Sequence, residues 1–264
     1  MINILNNKKH KINLILQGGG IKGLSYIGAL RALEEKNYEF NYLAGSSVGA
    51  MIASLVAVGF DSIELENILN EVPLSIFTKK NNIKDSIRNK GLYSLKQVEE
   101  YLENLYLSKG KRYFRDIKIG NNYKAIFIST SLEMKRIFVL PYDLKLININ
   151  PDDFPIAKAV IMSCSIPFFY EPVLVNNYKF YDGGVSDNFP KWCFSHAIAL
   201  KVEEEKNYIK SFKKNIFGKI ENKNNVEEIY INTKGFRTTD FKKGFTEKNE
   251  LYKRGYAAIM QYFS

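Results

Sequence analysis

Short apolar runs alternate with amphipathic stretches along this chain, and their order predicts a parallel α/β protein. Ile12 to Leu16 is an apolar run stopped by Gln17 and three glycines, the pattern of a buried strand. From Ile21 to about Glu35 the period is helical. Its first half is small and apolar (Leu24, Ile27, Gly28, Ala29), and its last turns carry Arg31, Glu34, Glu35 and Lys36, so it starts inside and ends at the surface. Tyr38 to Ala44 is a second strand that runs straight into Gly45-Ser46-Ser47-Val48-Gly49. A second buried helix, Ala50 to Val58, ends at Gly59. Strand, glycine turn, helix, repeated twice, gives an α/β fold with a mainly parallel sheet.

Further along, Asp61 is placed to cap a helix reaching about Glu71, and Ser94 with Gln97 has the form of a capping box opening a helix to about Leu107. Strands are expected at Tyr123 to Thr130, Arg136 to Leu140, Val173 to Val175, Tyr178 to Tyr181 and Glu228 to Asn232. Helices are expected at Phe154 to Ser163 and Glu247 to Phe263. No internal repeat or linker divides the 264 residues, so a single domain over 1–264 is expected, with a charged insertion at about 203–228.

Charge changes this picture. The net charge of +10 points to an anionic partner, either a lipid surface or nucleic acid. No helix-turn-helix, zinc-finger or aromatic RNA-binding pattern accompanies it, so nucleic acid is not expected. Between Lys206 and Ile220, Ile209, Phe212, Ile216, Phe217 and Ile220 share one helical face flanked by lysines, a pattern that can lie on a membrane. The Phe168-Phe169-Tyr170 run is a second membrane candidate, although core packing is the expected fate of its rings. Two cysteines far apart, no apolar run long enough to span a bilayer and no signal-peptide pattern lead us to expect a cytoplasmic protein, peripheral at most to membranes.

Three segments carry candidate chemistry. Gly45-Ser46-Ser47-Val48-Gly49 matches the G-x-S-x-G nucleophile elbow, in which a strained strand-to-helix turn pushes a serine outward. Gly18-Gly19-Gly20-Ile21-Lys22-Gly23 follows a strand and opens a helix. As a dinucleotide loop it lacks the acidic residue about 20 positions on, because Leu43, Ala44 and Gly45 stand there. As a Walker loop it lacks Lys after Gly23. An oxyanion hole of free backbone N–H groups remains. Asp182-Gly183-Gly184 closes a short strand with a carboxylate before two glycines. Only two histidines exist. His10 lies in a polar tail, and His196 leaves open a Ser47-Asp182-His196 triad as the alternative to a Ser–Asp pair.

In order and spacing, these three segments together resemble the patatin-like phospholipases. The likeness extends to Ser163-Cys164-Ser165-Ile166-Pro167 and to Asn188-Phe189-Pro190. The resemblance implies a three-layer α/β/α sandwich and a catalytic dyad of Ser47 and Asp182 without histidine. It implies an oxyanion hole at Gly18, Gly19 and Gly20, with Lys22 in the basic position. Gly45 and Gly49 would frame the nucleophile, and Gly183 and Gly184 would complete the Asp-Gly-Gly turn. The substrate implied is a phospholipid or another acyl lipid, cleaved as by a phospholipase A or lysophospholipase, with neither metal nor cofactor and without calcium. Transfer of the acyl group to an alcohol would need no further residue.

Overall fold

The computed structural model describes residues 9–81, 91–203 and 224–264. Strand β1 (His10–Leu16) leads through a 3-10 turn, Gly20–Leu24, into helix α1 (Ser25–Glu35). Next come β2 (Tyr38–Ser46), α2 (Val48–Val58) and α3 (Ser62–Glu71). Asp61 caps α3 as expected, accepting from Glu64 N while Glu64 reaches back to Asp61 N. After β3 (Gly91–Tyr93), helix α4 (Lys96–Ser108) starts without a capping box: Leu95 is its N-cap, and Ser94 Oγ accepts only from Lys96 N.

A small hairpin of β4 (Lys118–Ile119) and β5 (Asn122–Tyr123) precedes β6 (Ala125–Ser131), β7 (Arg136–Leu140) and α5 (Ile156–Cys164). The chain continues through β8 (Phe168–Tyr170), β9 (Val173–Val175), β10 (Tyr178–Asp182), β11 (His196–Val202) and β12 (Asn225–Ile231). It closes with α6 (Phe241–Thr246) and α7 (Lys248–Tyr262). Most of the charged segment at about 203–228, including the amphipathic stretch 206–220, lies outside the described residues.

The principal sheet has the order β12-β11-β1-β2-β6-β10-β9, with β7 also on β6. Pairs β12–β11, β11–β1, β1–β2 and β2–β6 are parallel, while β10 and β7 run antiparallel to β6. This is the expected mainly parallel sheet flanked by helices. Leu14, Leu16 and Leu43 face a large apolar core shared with α1, α2, α4 and α5. Ile15, Ala44 and Ala199 face the other way, against Phe189, Cys193 and Phe194.

Strand β11 was not expected from the sequence. Its Ala197 to Leu200 run is continuously apolar because the strand is buried within the sheet. Continuous apolarity does not separate a strand from a buried helix. Among the described residues, no helix is long and apolar enough to cross a membrane.

Candidate active site

Register explains how distant segments meet. β2 occupies one edge of β6 from Ala125 to Ile128, with Ser46 opposite Ile128. β10 takes the same edge immediately beyond, with Asp182 opposite Ser129 and Tyr181 opposite Thr130. β7 covers residues 127–131 from the opposite edge. Strands β2 and β10 therefore run head-on toward each other along β6, and their last residues bring the Ser47 turn and Asp182 together.

Ser47 sits between β2 and α2 at φ 54° and ψ −128°, a backbone conformation that costs a non-glycine residue about 1–3 kcal/mol. Close packing holds it there. A methyl group added at Gly49 would lie 2.2 Å from the Leu16 carbonyl oxygen, and one at Gly45 would lie 2.4 Å from the Gly49 carbonyl. The Ser47 N–H donates to Ser163 Oγ at 3.0 Å, and that hydroxyl donates to the Ile128 carbonyl, so α5 clamps the turn to β6. Although Ser47 is the N-cap residue of α2, its side chain makes no capping bond. Its hydroxyl stands at the positive end of the helix dipole.

Asp182 is 5% exposed. Its N–H donates to Ser165 O, its carbonyl accepts from Thr130 Oγ1, and Oδ1 accepts the Gly184 N–H at 2.7 Å. Oδ2 is buried and accepts no hydrogen bond among the described residues. Burial pushes the carboxyl up to about 6, opposed by the Ser47 hydroxyl and the Gly184 amide. Ser47 is thus near enough to act on the carboxylate, yet no bond of 3.5 Å or less joins the two side chains. Catalytic hydrogen bonds are commonly loose without substrate and tighten when it binds.

The glycine loop lies against this turn, with the Cβ position of Gly18 only 3.1 Å from Ser47 Cβ. Its donors are not equivalent. Gly18 N–H is taken by the Asn188 carbonyl at 2.9 Å, and Asn188 Nδ2 returns a bond to the Gly18 carbonyl. Lys22 is buried and its ammonium donates to the Glu203 carbonyl. Gly18 and Lys22 therefore brace the loop. The Gly19 and Gly20 amides make no hydrogen bond among the described residues. Gly20 adopts φ +55°, and a Cβ there would lie 2.1 Å from the Thr238 carbonyl.

Gly183 and Gly184 allow the Asp182 turn to fit, since a Cβ on Gly183 would meet Ile128 O at 2.3 Å. Three bracing residues escaped the sequence reading. Gln17 accepts Val202 N–H on Oε1, tying the loop to β11. Ser163 and Asn188 were noticed only as parts of similar segments. Polar residues with local sequence patterns of no special kind give no signal of such long-range bonds.

His196 does not join the site. It is the first residue of β11, exposed, at the end of the parallel strands opposite to Ser47. Val202, further up the same strand, is the residue that touches Gly19. From residue 196 to residue 202 the strand spans about 20 Å, which removes the triad alternative.

An apolar cavity opens beside Ser47 and Gly20. It runs between α2, α3 and α4 and is lined by residues such as Met51, Leu65, Leu69 and Leu102, with Phe77 and Phe241 also on its wall. Its volume is about 100 Å³.

A family model of the patatin-like phospholipases matches residues 14–191, from β1 through the glycine loop and the Ser47 turn past Asp182. The chain belongs to the patatin-like phospholipase family. Among similar proteins, the uncharacterized protein YqhO of Bacillus subtilis (strain 168) is 38% identical over 197 residues, 70% of this chain and 67% of the relative. The probable lipid hydrolase 463L of Invertebrate iridescent virus 6 is 27% identical over 212 residues, 77% of this chain and 68% of its own. Among solved structures, VipD from Legionella pneumophila matches with a TM-score of 0.54 at 19% identity, over 96% of this chain and 66% of VipD. The type III effector ExoU matches at 0.50 and 15% identity, over 96% and 53%. These two share the patatin-like fold. The chain spans about two thirds of the sequence relatives and 53–66% of the two solved chains.

Proposed function

We propose that this patatin-like protein is an acyl hydrolase of the phospholipase A or lysophospholipase type, working through Ser47 and Asp182 alone. The observation that carries the reading is the head-on meeting of β2 and β10, which sets a strained serine against a buried carboxylate beside unbonded amides.

Ser47 Oγ attacks the ester carbonyl and its proton passes to Asp182 Oδ2, the carboxylate oxygen with no other partner among the described residues. A free aspartate, with a pKa near 3.9, is a weak base for a hydroxyl. Burial pushes its pKa up to about 6, and the α2 dipole favours the developing negative charge. The Gly19 and Gly20 amides, already fixed in place, hold the oxyanion. Asp182 returns its proton to the leaving lysolipid oxygen. Water deprotonated by the same carboxylate then releases the fatty acid. No step calls for calcium. The cavity beside Ser47 is walled by apolar side chains, which supports a lipid over a polar ester as substrate.

Fatty-acid release from mixed phospholipid vesicles tests the reading directly. Wild type should release acyl chains with a chelator present, and Ser47→Ala and Asp182→Asn should not. Release by Ser47→Ala at the wild-type rate would overturn it.

A further inference from the structure

Phe168 stands out against the reading above. It is a large aromatic residue, 77% exposed, in the left-handed backbone region at φ 68°. Exposure of the ring and strain in the backbone both oppose this arrangement, and strain of this kind concentrates at functional surfaces. Its neighbours behave as core residues. Tyr170 is buried and its hydroxyl donates to the Phe77 carbonyl; Phe169 stacks between Tyr93 and Phe241.

The turn that lifts Phe168 outward is built on the cavity wall. Ile166 O accepts from both Phe169 N and Tyr170 N, and Ile166 and Tyr170 themselves line the apolar cavity. Aromatic contacts continue from Phe169 to Phe241 and from there to Phe77, both on the same wall. Phe168 is therefore the chain neighbour of an aromatic row, Phe169, Phe241 and Phe77, that reaches the cavity wall.

Lysines stand at the Tyr93–Ser94 end of β3, where Glu171 also lies, its N–H donating to the Tyr93 carbonyl. β8 pairs with β3, which places Phe168 opposite Gly91 and next to Leu92, itself 57% exposed. The segment carrying Lys79 and Lys80 pairs with the other side of β3, through Lys80–Tyr93 and through Ser94 N to Lys79 O. Both lysines are exposed, as is Lys242 on α6, beside the cavity residue Phe241. Glu171 is the nearest acidic residue in sequence. An apolar tip with a cationic rim complements an anionic lipid surface, where aromatic rings settle at the headgroup level and lysines meet phosphates.

We infer that Phe168 is an interfacial anchor that seats the mouth of the acyl cavity on an anionic phospholipid bilayer, with Lys79 and Lys80 supplying the attraction. This deepens the proposed lipid hydrolysis and rests on it only for what happens after docking.

The test uses Phe168→Gly, which removes the ring at a position whose backbone suits glycine, so the melting temperature should be unchanged or higher. Full-length protein is co-sedimented with vesicles of phosphatidylcholine containing phosphatidylglycerol, and turnover of a soluble butyrate ester is followed in parallel. Phe168→Gly should lower vesicle partitioning about ten-fold, while butyrate turnover stays within two-fold of wild type. Lys79→Gln with Lys80→Gln should cost about five-fold per charge on anionic vesicles and little on pure phosphatidylcholine. Ser47→Ala should bind vesicles as wild type does, so a failure of the chemistry is distinguishable from a failure of docking. Unchanged partitioning of Phe168→Gly would overturn the inference. So would absence of wild-type binding to the vesicles, which would point to a protein partner for this tip, and so would loss of butyrate turnover in parallel with binding.

Discussion

The two turns that meet at the site are built by opposite means. The Ser47 turn is strained but electrically easy: its φ is 54°, its amide is bonded to Ser163, and it caps a helix whose dipole favours negative charge. The Asp182 turn is relaxed, with φ −48° and ψ 139°, but electrically costly, since a carboxylate is buried with one oxygen lacking any partner among the described residues. In the proposed pair, backbone geometry orients the Ser47 hydroxyl and desolvation makes the Asp182 carboxylate a stronger base.

Substitutions that act on one side only sharpen this contrast. The largest effect is expected from Ser47→Ala, a fall in kcat of about 10⁴–10⁶ with folding retained. Its melting temperature should not fall, because alanine loses no hydrogen bond made by the side chain. Asp182→Asn should lower kcat about 10⁴-fold, by analogy with loss of a catalytic carboxylate elsewhere, yet it should stabilise the fold at neutral pH.

The sign follows from linkage. A carboxyl raised to about 6 in the folded state binds protons that the unfolded chain, near 3.8, has released. Its contribution is most favourable below pH 3.8 and is lost as pH rises through 6. Removing the charge should therefore recover on the order of 3 kcal/mol at pH 8, read as a raised melting temperature. A destabilised Asp182→Asn protein at that pH would break the contrast between the two turns.

Gly20→Ala comes next. A methyl group 2.1 Å from the Thr238 carbonyl, at positive φ, must displace the loop, and loss of one oxyanion donor costs about 10²–10³ in kcat. Ser163→Ala leaves the buried Ser47 N–H without its acceptor, so about 1–3 kcal/mol of stability should go with a modest loss of rate. The smallest effect is expected from His196→Gln, which should leave ester turnover within two-fold of wild type.

Much of the nucleophile side was legible in the sequence, because its signals are local. An apolar run, glycines at fixed offsets and a following apolar helix lie within consecutive residues from Tyr38 to Gly59. The base side was legible only through resemblance. Asp182-Gly183-Gly184 by itself reads as any hairpin turn; its meaning comes from the register of β10 on β6, which no local pattern encodes. The same reason hid Ser163, Gln17 and Asn188, whose hydrogen bonds all join residues far apart in the sequence. β11 was obscured by its burial, and Phe168 was expected in the core because aromatic character does not reveal a left-handed backbone. The α4 cap differs from its sequence pattern: Ser94 and Gln97 have the right spacing, but Leu95 is the N-cap and the helix begins at Lys96, one residue later than a Ser94 cap requires.

The most direct test of the Ser47–Asp182 pair is the pH dependence of labelling by a fluorophosphonate ester, with the modified residue identified by peptide mass. The expected result is label on Ser47 alone, at a rate that climbs as pH rises through about 6, persists in His196→Gln and collapses in Asp182→Asn. Label on another serine, or equal labelling of the Asp182→Asn protein, would contradict the pairing.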